Sequence, residues 1–334
     1  MSCRPPHRAV RRSGGGCEQC GTERFVAAGV PSVARRRGTL QFEIMLGAST
    51  SAIAVPAGHR LVRIADQPEL WAPANTMCGA AWPEFMLHDP VADRCWPHLR
   101  DDWPSLQLVL VDGEDEIVAA AQAVPLRWDG TDDGLPEGWD AQFERSVSDL
   151  LAGVRPDTLG AIQINVAHGR RGRGLSTLML KALRRLAVDA ELRALIACVR
   201  SPGKTRYPLM SIDAYASWCR PDGLPVDPWL RVHARAGARL VRASPRSMTI
   251  AAPVHYWRDW TGLGFPVSGP YVVEGALAPV EIDLSQDLGT YHDPNVWMVH
   301  ELDLRTGDPA PGIARTPQGA ARALESTPRP DSTP

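Results

Sequence analysis

The residues best suited to chemistry lie in a short basic turn, Arg170-Arg171-Gly172-Arg173-Gly174. Glycines let a ligand approach backbone N–H groups closely, and a helix start offers the positive end of its dipole. The arginines add fixed positive charge. This combination suits an anionic diphosphate. Neither of two common phosphate motifs fits the turn, because one needs glycines spaced G-x-G-x-x-G and the other needs Gly-Lys-Ser/Thr.

A strand and a helix must position this turn. In residues 159–166, apolar and polar side chains alternate with the period of a strand that has two unlike faces. From Leu175 to about Leu192, apolar residues recur at the spacing of one helical face. The sequence therefore predicts a strand, an anion-binding turn and an amphipathic helix in direct succession.

This order resembles the coenzyme A loop of the GNAT acyltransferase superfamily. The family pattern R-x-x-G-x-G/A is matched by Arg171 and Gly174, whereas Ser176 departs from the usual last residue. In that family the loop amides hold the pyrophosphate of acyl-CoA. The resemblance implies a donor site made of Val166, Arg171, Gly172, Arg173, Gly174, Leu175 and Ser176. On the turn alone, a basic helix start that binds no ligand is an equal alternative.

The wider order of elements agrees with the same family. The patterns predict a strand at 59–64, two helices, a hairpin within 106–126, a third helix and a short buried strand at 195–199. A helix at 227–236 follows, and then a strand at 239–242 with a hairpin partner at 247–252. We expect an α/β (α+β) fold with a GNAT-like mixed central sheet flanked by helices, a disordered N-terminal extension and a C-terminal extended arm.

The predicted organisation has four parts. They are a disordered basic extension (1–45), a GNAT-like domain (59–262), a C-terminal extension packing on it (263–305) and a disordered tail (306–334). The domain carries an insertion at 200–224, which is either a lid over the acceptor or a packing extension. Cys17-x-x-Cys20 is weak evidence for zinc without a second pair, so we expect no metal.

Catalytic candidates follow from the resemblance and from the residue chemistry. In many family members a tyrosine four residues before a Gly-Phe pair protonates the departing thiolate, and that position is His233 here. An imidazolium fraction near neutral pH would suit this role, and a histidine that only bonds locally is the alternative. Gln163 and Asn165 share one strand face and are expected to hold waters, although neither can act as a base. Candidates for the base are Glu84, His88, Asp89 and Asp213.

Composition limits the partners. The chain has 334 residues and a formal net charge of −2, which argues against nucleic-acid binding. Seven irregularly spaced cysteines and no long apolar run favour a reducing, cytoplasmic setting without a membrane span. The resemblance implies transfer of an acetyl or other short acyl group from acetyl-CoA (acyl-CoA) to a small-molecule or peptide amine by direct attack. A catalytically inert module that binds coenzyme A or a protein is the alternative, and a homodimer is left open.

Overall fold

A mixed sheet of nine strands organises residues 53–304, the part of the chain that the computed structural model describes. Its first half is antiparallel and contains β1 (Arg60–Arg63), β2 (Leu108–Val111), β3 (Ile117–Leu126) and β4 (Thr158–Val166). Next come β5 (Ala194–Arg200), which is parallel to β4, and β9 (Leu288–Glu301), which is antiparallel to β5. The remaining strands are β6 (Arg239–Ala252), β7 (Gly269–Tyr271) and β8 (Val280–Asp283).

Helices flank this sheet. They are α1 (Trp71–Gly79), α2 (Pro90–Asp101), α3 (Trp139–Ala152), α4 (Leu175–Asp189), α5 (Ile212–Ser217), α6 (Pro228–Arg235) and α7 (Val254–Thr261). Two of them start in the same way, with an aspartate cap and a proline in the first position, where a missing N–H costs nothing. Asp89 caps α2 by accepting hydrogen bonds from the N–H groups of Val91 and Ala92. Asp227 accepts hydrogen bonds from two N–H groups at the start of α6 in the same way. The predicted mixed sheet with flanking helices is confirmed.

The two central parallel strands diverge, and this opening creates the site. Thr158–Ala161 of β4 pairs with Ala194–Ala197 of β5, and the pairing does not extend beyond these residues. Both strands nevertheless continue, β4 to Val166 and β5 to Arg200. Backbone groups of β4 that would bond β5 in a continuous sheet are therefore left without that partner.

The predicted hairpin between 239–242 and 247–252 is wrong. Both segments belong to the single strand β6, which pairs with β9 from Arg239↔Val299 to Ala252↔Gly289. The Ser244-Pro245-Arg246 segment, read as a turn, lies where the register shifts between Ser244 and Met248. An irregular stretch inside one strand and a short turn between two strands look alike in sequence, because both interrupt the alternation.

Residues beyond 262 contribute to the interior of the sheet as well as to its edge. β7 and β8 form the edge, whereas β9 lies between β5 and β6 and is buried from Asp293 to His300. The domain boundaries stay predictions. The predicted disordered segments at 1–45 and 306–334, with Cys17 and Cys20, lie outside the described residues. Within residues 53–304, no helix has both the length and the apolar character needed to cross a membrane.

Candidate active site

A cavity of about 1090 Å³ passes through the opening between β4 and β5. One end reaches the turn before α4, and the other reaches α1 and α2. Five tryptophans line it. They come from four helices and a connecting loop, and they are Trp71, Trp82, Trp96, Trp139 and Trp229. A cavity with two ends of different composition can hold two different substrates at once.

The basic turn forms the first end of this cavity. Gly172 and Gly174 both have a φ of 78°, in the left-handed region that glycine adopts without strain. α4 begins directly after Gly174 and has no side-chain cap. The first N–H groups of a helix have no earlier carbonyl to bond, so those of residues 175–177 remain available. Arg171 and Arg173 are exposed beside them, whereas Arg170 is held by Asp112 at 2.7 Å.

Backbone N–H groups of β4 point into the opening. The N–H of Ala167, the residue after β4, donates to the carbonyl of Val118 in β3 at 3.0 Å. Successive N–H groups of a strand alternate between its two edges. Those of Val166 and Ile164 therefore face away from β3 and toward the gap, where β5 does not pair with them. They are donors for a carbonyl oxygen that enters the opening.

Gln163 and Asn165 lie on the same face of β4 and are hydrogen-bonded to each other. The Gln163 Oε1 atom accepts hydrogen bonds from Asn165 Nδ2 at 2.7 Å and from Trp82 Nε1 at 3.0 Å. Both side chains line the cavity, and their expected role of holding waters there stays a prediction. Because amides do not titrate near neutral pH, the pair can orient a water or an amine but cannot remove a proton.

His233 lies at the wall of the cavity and is almost fully buried, with 1% of its surface exposed. Burial lowers the pKa of His233 to about 3. The expected imidazolium fraction near neutral pH is therefore wrong, since the ring is neutral there. Its Nδ1 atom lies 3.0 Å from Nε2 of His300 on β9, a buried ring whose pKa burial also lowers.

The His233–His300 hydrogen bond restricts the tautomer of His233. The Nδ1 atom of His300 is buried and has no hydrogen-bond partner within the described chain. Orphaned buried donors are rarer than orphaned acceptors, so this nitrogen is better left unprotonated. His300 then donates from Nε2 to His233, whose remaining proton is on Nε2. A neutral N–H donor is thus what His233 can offer to the cavity.

The candidate bases from the sequence do not come together at the cavity. Glu84 and His88 form a 3.1 Å pair, and His88 stacks on Trp260. Asp89 is consumed as the cap of α2. Asp213 is exposed on α5. All four lie outside the residues that line the cavity.

A buried carboxylate pair lies behind the cavity wall. Burial and the nearby Asp89 carboxylate together raise the pKa of Asp140 to about 8. Burial also raises the pKa of Asp89. Neither residue lines the cavity, so the pair does not supply a base there.

One face of α2 lines the second end of the cavity and was missed in the sequence. Asp93, Trp96 and Arg100 all contribute to the lining. Their spacing of three and four residues places them on one helical face, which is the signal that could have found them. Asp93 is the carboxylate on that face, and it is exposed to the cavity mouth.

The insertion at 200–224 is packed into the fold. Lys204 and Tyr215 are 1% and 2% exposed. The Lys204 Nζ atom donates to the Leu277 carbonyl at 2.7 Å, and the Tyr215 hydroxyl donates to Asp227 at 3.1 Å. At the cavity, the insertion contributes Arg200 and Pro202 from its first residues. These contacts favour the packing extension over the lid.

Similarity to a known protein decides the family. An arginine N-acetyltransferase, avaD of Aspergillus versicolor, is 33% identical over 282 residues, which cover 75% of this chain and 96% of that protein. The chain belongs to the GNAT superfamily. It is an N-acyltransferase, and the alternative of an inert GNAT-fold module is not favoured. No family model matches the sequence.

Solved GNAT structures are similar at lower identity. The loading GNATL domain of CurA from Lyngbya majuscula has a TM-score of 0.45 and 16% identity, covering 73% of this chain and 97% of that domain. An agmatine N-acetyltransferase mutant has a TM-score of 0.36 and 14% identity, covering 73% of this chain and all (100%) of that chain.

Proposed function

We propose that this GNAT protein transfers an acetyl or other short acyl group from acyl-CoA to the amine of a small molecule by direct attack. The observation that carries the proposal is the opening between β4 and β5. It joins unpaired β4 amides to the uncapped start of α4 in one continuous cavity. A thioester, its pantetheine arm and a diphosphate need these features in this order.

The turn before α4 fits the pyrophosphate of the donor. A side chain added at Gly172 or Gly174 would project into open space, with nothing within 4 Å, so the backbone there is accessible to a ligand. The N–H groups from Gly172 to Ser176 would hold the phosphate oxygens, and Arg171 and Arg173 would add charge. Each charge-assisted contact contributes about 1.5–3 kcal/mol.

The residues around the opening can then carry out the transfer. The N–H groups of Ile164 and Val166 polarise the thioester carbonyl, and the amine lone pair forms the new C–N bond as the C–S bond breaks. The amine proton leaves through water held by Gln163 and Asn165. The neutral His233 Nε2–H donates a hydrogen bond to the departing sulfur, which takes its proton from solvent.

The acceptor end suits an amine with a cationic side chain such as arginine. Trp71 and Trp96 offer aromatic faces, which attract guanidinium groups, and Asp93 offers a carboxylate at the mouth. The similar protein avaD is named an arginine N-acetyltransferase. We therefore propose arginine, or a small molecule that contains it, as the acceptor.

Titration calorimetry with coenzyme A tests the donor half. We expect saturable binding with a stoichiometry of one, and competition by 3′-phospho-ADP, which carries the diphosphate without the pantetheine arm. Absence of binding by a folded protein would remove the turn and the opening as the donor site.

A further inference from the structure

Arg200 and Asn295 are neighbours in the wall of the cavity. They face each other across the β5–β9 pairing, and both line the cavity. Side chains at opposite positions of antiparallel strands share one face, with Cβ atoms about 4.5–5.5 Å apart. A charged donor and an amide therefore lie side by side, at a distance that one small molecule can span.

The Asn295 amide oxygen has no partner in the described chain. The residue is 1% exposed, and Oδ1 is buried without a hydrogen bond. Its Nδ2 atom lies 3.5 Å from the carbonyl oxygen of Asp293, so the donor end of the amide is directed to the backbone. Buried polar atoms are rarely left unpaired, and one beside a cavity is a place for a ligand N–H.

Arg200 is clamped but keeps donors for a ligand. Its Nε atom donates to both oxygens of Asp293, at 3.0 and 3.1 Å, and Nη2 donates to the Gly275 carbonyl at 2.6 Å. The Trp82 ring lies 5.5 Å from its guanidinium carbon. A guanidinium has five N–H donors, and these bonds do not use them all. The Arg200 side chain is 16% exposed, and the residue lines the cavity.

The charges around this pair leave room for one more anion. Arg200 is paired with Asp293, and Lys204 is also attracted to the same carboxylate. Two cations thus share one carboxylate in a region with little water. Burial lowers the pKa of Lys204, because the ammonium group has lost most of its contact with water, while Asp293 acts to raise it. A carboxylate bound at Arg200 would balance the charge.

We propose that Arg200 and Asn295 form an α-amino-acid site, and the proposal rests on the acyltransferase function above. Arg200 binds the acceptor carboxylate, and Asn295 Oδ1 accepts a hydrogen bond from the α-amine that attacks the thioester. In an α-amino acid these two groups are separated by one carbon, which matches the adjacent cross-strand positions. Trp82 connects the pair to Gln163 at 3.0 Å, so the amine lies toward β4.

Matched pairs of acceptors that differ by a single carboxylate test the site directly. The pairs are arginine with agmatine, ornithine with putrescine, and lysine with cadaverine. With acetyl-CoA as donor, we expect kcat/KM to be about 10²-fold higher for the preferred amino acid than for its decarboxylated partner, as expected for loss of a charge-assisted contact. Equal kcat/KM values within each pair, or faster reaction of the diamines, would overturn the proposal.

Two variants locate the effect. Asn295→Asp places a carboxylate beside Arg200, so we expect the amino acid to lose about 10²-fold in kcat/KM while agmatine changes only a few-fold. Arg200→Lys keeps the charge that Asp293 requires but loses the planar donor geometry, and it should lower amino-acid selectivity about 10-fold. Arg242→Lys, which loses bonds to Leu135 and Pro136 away from the cavity, is the matched control and should keep the selectivity.

A binding measurement separates this site from the acyl-transfer proposal. With coenzyme A at saturation, arginine should bind at least 10-fold more tightly than agmatine in wild-type protein, and Asn295→Asp should abolish the difference. Carboxylate-dependent binding without thiol release would support the site and contradict the transferase proposal. Transfer or binding that is indifferent to the carboxylate would support the transferase and overturn the site.

Discussion

At the scale of single residues, His233 shows where sequence reasoning reaches its limit. The position four residues before Gly237 could be found from the family pattern. The protonation state of the histidine could not be predicted, because its partner His300 lies 67 residues away on β9 and its burial arises from packing across the sheet. Burial lowers the pKa to about 3, so a charged acid becomes a neutral donor.

The buried His233 should make stability depend on pH. Its folded-state pKa, about 3, lies below the unfolded value of 6.5, so the unfolded chain binds more protons between these values. Stability from this group is present above the unfolded pKa and is lost as pH falls toward the folded pKa. We expect the Tm of the wild type to fall from pH 7 to pH 4. The Tm of His233→Asn should fall by about 5 °C less over the same range.

Differential scanning calorimetry across this range measures the effect. His98 pairs with Asp102 at 2.7 Å and is less buried than His233, so His98→Asn serves as the control variant. Parallel curves for wild type and His233→Asn would contradict the depressed pKa.

Gly174 provides a residue-level test of the donor site. Gly174→Asn keeps a residue type that tolerates a left-handed backbone, yet it places a side chain where the phosphates must approach. We expect coenzyme A affinity to fall about 10–10²-fold, the loss of one or two charge-assisted contacts. Gly153→Asn is the matched control, because Gly153 also has a positive φ of 67° and open space around it but caps α3. Equal affinity in both variants would reject the turn as the site.

At the scale of elements, local patterns predicted most strands and helices, and long-range pairing was the exception. The strand, turn and helix from Thr158 to Asp189 follow from alternation and helical spacing, which are local properties. The partner of β6 does not follow from local patterns, since α7, β7 and β8 separate β9 from β6 along the chain. A hairpin between neighbouring segments was the default, and the actual pairing brings Asp293, Asn295 and His300 into the sheet beside β5 or β6.

The insertion yields an element-level prediction. If residues 200–224 pack the fold, Tyr215→Phe should remove a buried hydrogen bond to the α6 cap Asp227 and lower the free energy of unfolding by about 1–2 kcal/mol. The KM values for donor and acceptor should not change, since Tyr215 does not line the cavity. Urea denaturation and steady-state kinetics measure both. A changed acceptor KM with unaltered stability would restore the lid interpretation.

At the scale of the whole molecule, the sheet shapes the cavity in which we propose that acyl transfer takes place. Its divergence at β4 and β5 forms a passage between two unlike ends, a basic turn at α4 and an aromatic wall at α1 and α2. The end at the basic turn could be found in the sequence, because its glycines and arginines are consecutive and a helix pattern follows them directly. The other end could not, because it is assembled from α1, α2, β5 and β9, which are distant in sequence.

The most direct test of acyl transfer through this passage is the rate of thiol release from acetyl-CoA, with and without arginine. We expect release that depends on arginine, saturates with both substrates and yields acetylated arginine in equal amount by mass spectrometry. We also expect Gly174→Asn to raise the KM for acetyl-CoA while the KM for arginine stays within a few-fold. Slow, acceptor-independent thiol release across the whole amine series, by folded protein that binds coenzyme A, would contradict N-acyl transfer to a small-molecule amine.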